Sequence, residues 1–175
     1  IYNCVTGCTV LAKKETIQKI LPLPERSKYL IHDHWIGLMV SIYGKVAYMP
    51  EKYIKYRQHG NNQVGTEKIS HGFRKLDQVR ELFINVKLGV FGTYVENNDR
   101  FPESMQKLNV EIYDYFKMIQ NKKNINFRKW GTFHKLYKTE SFSYYMLNFI
   151  IMNLPILGRP LFNIRYGILK ILGKR

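Results

Sequence analysis

Residues 31–65, IHDHWIGLMVSIYGKVAYMPEKYIKYRQHGNNQVG, decide how the chain is read. The stretch opens on His32-Asp33-His34-Trp35, which leads into an apolar run with the look of a helix. It closes on Tyr56-Arg57-Gln58-His59-Gly60-Asn61-Asn62, too polar and glycine-rich for regular structure. Gly44 and Pro50 fall between them as turn signals. Two polar clusters bracketing a helix–strand–strand unit have the character of a site. The helix takes Trp35, Ile36, Leu38, Met39, Val40, Ile42 and Tyr43 as its apolar members, which spacing predicts to be buried nearly all round. Asp33 suits its N-cap, and Gly44 its C′ position. Residues 45–49 (KVAYM) and 53–56 (YIKY) read as strands.

Toward the N-terminus, residues 2–6 and 8–12 are short β-rich runs around Gly7, where the backbone is expected to bulge or to approach something closely. Residues 14–21 carry Ile17, Ile20 and Leu21 at helical spacing, stopped by Pro22 and Pro24. Cys4 and Cys8 would stand roughly 13 Å apart in a strand, too far for a disulfide. Their spacing fits neither a zinc ribbon nor a redox pair. They are expected as small buried residues in a reducing compartment. The chain starts without an initiator Met and in mid-strand, so it reads as the C-terminal part of a longer protein.

Toward the C-terminus the period changes from two to between three and four. Ile69, Phe73, Leu76, Val79, Leu82, Phe83, Val86 and Val90 predict an amphipathic helix over residues 67–91, broken by Gly92 and the Glu96-Asn97-Asn98-Asp99 cluster. Pro102 opens a second helix, with Met105, Leu108, Ile112, Phe116 and Ile119 on one face, ending at residues 122–124. Residues 127–137 form a shorter basic, aromatic segment. Residues 142–157 are mostly apolar but fall short of the roughly twenty needed to span a bilayer. With residues 161–172 they suit either a helix lying in the membrane interface or a face packed on the core.

The formal charge of +15 is spread along the chain. There are nine cations against four carboxylates in residues 1–66, fourteen against eight in 67–138 and five against one in 139–175. Such a field suits an anionic partner or is a solvated basic surface. The dispersed charge and the absence of a recognisable module argue against nucleic acid.

Taken in order, the TGC run at residues 6–8, a helix, a proline-bearing loop, HD at a helix start, GKVAYMPE and YRQHGNN resemble the C-terminal part of the catalytic domain of family 2 glycosyltransferases. The likeness covers residues 1–66 and lies closest to the rhamnosyltransferase-like members with a GT-A fold. It implies an α+β fold in which residues 1–66 supply strands to a mixed sheet. Residues 67–138 would be a helical extension and 139–175 a helical tail. The acidic pair of the family becomes His32-Asp33 here, which implies Asp33 as the general base of an inverting transfer. His59 matches a histidine that ligates the divalent Mg²⁺ or Mn²⁺ on the pyrophosphate.

The same likeness implies phosphate contacts from Arg57, Gln58, Asn61 and Asn62. His32, Gly7 and Cys8 would line the sugar or acceptor pocket, and Trp35 would be a stacking platform. The implied partners are a nucleotide-sugar donor and a glycan or lipid-linked acceptor. The implied location is cytoplasmic, peripheral on the inner face of the membrane. The family's Asp-x-Asp motif does not occur in the sequence, so the chain alone is expected to be inactive. The competing readings are a non-enzymatic basic module on the membrane surface and a helical partner-docking domain.

Overall fold

The computed structural model describes residues 5–25, 28–55, 57 and 76–121, together with Gly131, His134, Met146, Phe149, Ile150 and Pro160. The chain divides into two compact units, Ile1–Phe73 and Arg74–Arg175.

The described part of the first unit is two helices and their connections. Helix α1 (Lys14–Ile20) forms where the helical spacing places it and stops at Leu21, the residue before Pro22. Helix α2 (His32–Tyr43) packs against α1. Ile20, Leu30, Trp35 and Met39 are buried in this unit. Burial follows one stripe of α2 rather than its whole circumference, since Ile36, Leu38 and Val40 are half-buried and Tyr43 is 58% exposed. Gly44 ends the helix, but with φ −143° and ψ −151° it is extended rather than left-handed. No left-handed backbone demands glycine there, but a β-carbon would stand 3.1 Å from the Val40 carbonyl oxygen.

The expected α+β class is incorrect: the described residues are helical and contain no strand and no sheet. A strand exists only through the ladder partners that satisfy its backbone, and β-rich composition reports fit to a pleated surface rather than an intrinsic backbone choice. Gly7, expected as a bulge or point of close approach, and residues 8 and 9, expected in a β-rich run, roll into a 3₁₀ turn instead. The Thr9 amide and hydroxyl both donate to the Thr6 carbonyl at 2.8 Å. Residues 45–49 and 52–55 run without regular structure and without a ladder.

The described part of the second unit is mainly an antiparallel helical hairpin. Helix α3 (Leu76–Glu96) and helix α4 (Glu103–Gln120) pack along each other. The direction follows from the pairs that touch: Asn85 accepts from Gln120, and Gly92 lies beside Tyr113. Ile84, Val90, Phe91 and Tyr94 from α3 meet Ile112, Tyr115, Phe116 and Ile119 from α4, all buried. Phe83 and Phe116 meet edge to face at 6.0 Å, and Tyr94 lies 5.2 Å from Phe91 and 5.4 Å from Phe101. Burial holds the Tyr94 hydroxyl above its ordinary pKa and the Lys87 amine below its own.

Gly92 does not break α3, which runs on to Glu96. A β-carbon there would meet Tyr113 at 3.4 Å, ordinary contact distance, so α4 passes close by without requiring a glycine. The break comes at Asn97–Arg100, where side chains take over the backbone's hydrogen bonds. Asn97 donates to the Thr93 carbonyl at 2.9 Å, Gln106 to the Phe101 carbonyl at 2.8 Å, and buried Asn109 to the Asn98 side chain at 3.2 Å. Pro102 is the N-cap of α4, which ends at Gln120, slightly before the lysines expected to stop it.

Candidate functional site

The site forms where residues 5–9 lie against the first turns of α2. Ile31 is the N-cap of that helix and offers no side-chain cap, so Asp33 is not the capping residue. It occupies the second helical position, and its carboxylate reaches out of the helix. There Oδ2 accepts the amide of Gly7 at 3.1 Å, across twenty-six residues of sequence. Asp33 is only 7% exposed. A buried carboxylate needs hydrogen-bond partners in place of water, and the turn at residues 7–9 supplies one.

Two glycines make this approach possible. A β-carbon on Gly7 would stand 2.9 Å from Nε2 of His32 and 3.6 Å from the β-carbon of Asp33. A β-carbon on Gly37 would stand 2.7 Å from Cγ2 of Val5. Gly37 lies four residues beyond Asp33 and hence on the same helical face. Sequence reasoning missed it; the signal was a lone glycine one turn beyond an acidic residue in an otherwise apolar helix.

Of the expected site residues, the structure brings Gly7, His32 and Asp33 together. Cys8 belongs to the same turn and is exposed, which corrects the expectation that it is buried. His32 is also exposed, so a carboxylate almost withdrawn from solvent sits next to an accessible imidazole. Trp35 is 1% exposed and belongs to the core of the unit; its ring offers no open face on which a sugar could stack. Arg57 is exposed. Gln58, His59, Asn61 and Asn62 lie outside the described residues, as does Cys4.

Among the described residues no three His, Cys, Asp or Glu side chains converge, and Oδ2 of Asp33 accepts a backbone amide. No helix among the described residues is long and apolar enough to cross a membrane. The expected tail, residues 139–175, lies almost wholly outside them.

The chain matches no family model, no curated protein and no solved structure.

Proposed function

We propose that this chain is the acceptor-side part of an inverting glycosyltransferase. It moves a sugar, rhamnose in the reading closest to its motifs, from a nucleotide-sugar donor to a glycan or lipid-linked acceptor. The observation that carries the reading is the 3.1 Å hydrogen bond from the Gly7 amide to Asp33, which joins two motif pieces far apart in sequence. Asp33 is the general base. It takes the proton from the acceptor hydroxyl as that oxygen bonds to the anomeric carbon. The bond from that carbon to the nucleotide diphosphate breaks, and its electron pair leaves with the diphosphate.

The Gly7 amide holds the carboxylate in one orientation, which favours a fixed geometry of attack. Exposed His32 and Cys8 border the approach. Divalent metal and diphosphate contacts are left to parts of the enzyme other than the described residues, and the chain alone does not turn over. A net charge of +15 supports work beside anionic headgroups, with the enzyme peripheral on the cytoplasmic face of the membrane.

The test is sugar transfer by the product of the complete reading frame that contains this chain. Asp33→Asn keeps a hydrogen-bond acceptor for Gly7 and removes the base, so transfer is expected to fall by about a hundredfold or more with the circular dichroism unchanged. Retained turnover in that variant overturns the assignment.

A further inference from the structure

Residues 45–55, KVAYMPEKYIK, are the most unusual surface of the first unit. Every one of them is exposed. Among the described residues none of the eleven takes part in a hydrogen bond or an ion pair. Four of the eleven exposed side chains are of types that favour strands: Val46 at 64%, Tyr48 at 87%, Tyr53 at 73% and Ile54 at 50%. Lys45, Lys52 and Lys55 stand against Glu51 alone.

We propose that residues 45–55 form a strand on contact with the edge of an acidic β-strand in a partner polypeptide. Among the described residues there is no strand to pair with, so the partner brings the ladder. An extended segment with unpaired backbone donors and acceptors can add as a strand to an existing sheet edge, with alternate side chains supplying further contacts. Pro50 has no N–H and splits the row into two stretches, 45–49 and 51–55, each of ordinary strand length.

The charges choose the partner. Three lysines and one glutamate favour an edge rich in Asp and Glu, since opposite charges across a ladder stabilise it and like charges oppose it. A second copy is disfavoured on the same ground, because symmetric antiparallel pairing about Pro50 sets Lys45 opposite Lys55. A lipid surface is disfavoured by the backbone: amides and carbonyls carried into the apolar layer are left unpaired, whereas a strand edge satisfies them. The contact does not depend on the chemistry at Asp33.

The test uses the full chain with two end-blocked peptides, one of alternating threonine and glutamate and one of alternating threonine and lysine. Amide exchange is followed across residues 45–55. The acidic peptide is expected to slow exchange at alternate amides by about tenfold, an effect weakened by salt. Val46→Pro with Tyr53→Pro removes two donors where no side chain is packed, so the helices survive and the protection disappears. No protection at millimolar acidic peptide, or equal protection by the lysine peptide, overturns the proposal. So does binding to vesicles of phosphatidylglycerol and phosphatidylcholine while the acidic peptide leaves these amides unprotected, which assigns the segment to a membrane surface instead.

Discussion

Replacing Asp33 by alanine tests the joint between the two motif pieces directly. The carboxylate is 7% exposed and accepts the Gly7 amide at 3.1 Å. Hydrogen bonds to charged groups contribute about 1.5–3 kcal/mol, but charge-assisted N–H bonds usually close to about 2.7–2.9 Å. The longer distance here places this one at the lower end, about 1.5 kcal/mol, or roughly a tenfold change in an opening equilibrium. The assay is hydrogen exchange at the Gly7 amide in the full chain. Asp33→Ala should speed exchange there about tenfold, while the amides in the last turn of α2 change little. Asp33→Asn, which keeps an acceptor oxygen, should retain most of the protection. Should Gly7 already exchange at the free-chain rate in the parent protein, or stay equally protected in Asp33→Ala, the bond does not organise the site and the base assignment loses its support.

Phe116→Ala should cost about 3–5 kcal/mol in a urea melt, because a fully buried ring that meets Phe83 edge to face leaves a cavity between α3 and α4. Two of the helical glycines, Gly37 and Gly92, should respond in opposite senses. Gly37→Ala drives a β-carbon into Val5 and should cost about 1–3 kcal/mol, whereas Gly92→Ala meets Tyr113 at ordinary contact distance and should be neutral or stabilise by up to about 1 kcal/mol through helix propensity. Both are read from melting midpoints. Stability should also bend with pH. Lys87 has a lowered value when folded, so the unfolded chain binds more protons and stability rises with pH from that lowered value to about 10.4. Tyr94 has a raised value, so its contribution is complete below about pH 10 and is lost as pH climbs further. Urea melts across this range should lose the rising limb in Lys87→Met and the falling limb in Tyr94→Phe.

The sequence by itself determined the helices whose apolar residues recur at three and four: α1, α2 and α4 lie close to where Ile17, Ile20, Trp35, Met39, Ile112, Phe116 and Ile119 place them. It also singled out Gly7 and Asp33. Helical periodicity is legible because a helix satisfies its own backbone, so a local pattern is enough to specify it. Tertiary structure alone decided what lies far apart along the chain. Residues 45–55 have the composition of strands, yet no strand forms among the described residues, because a ladder needs a second segment that no local pattern can supply. Gly92 looked like a stop, and the close passage of Tyr113 made it a packing position instead. Asp33 looked like a cap, and its actual partner is an amide twenty-six residues away. A carboxylate turns to whichever donor the fold delivers, and only the folded chain brings Gly7 within reach.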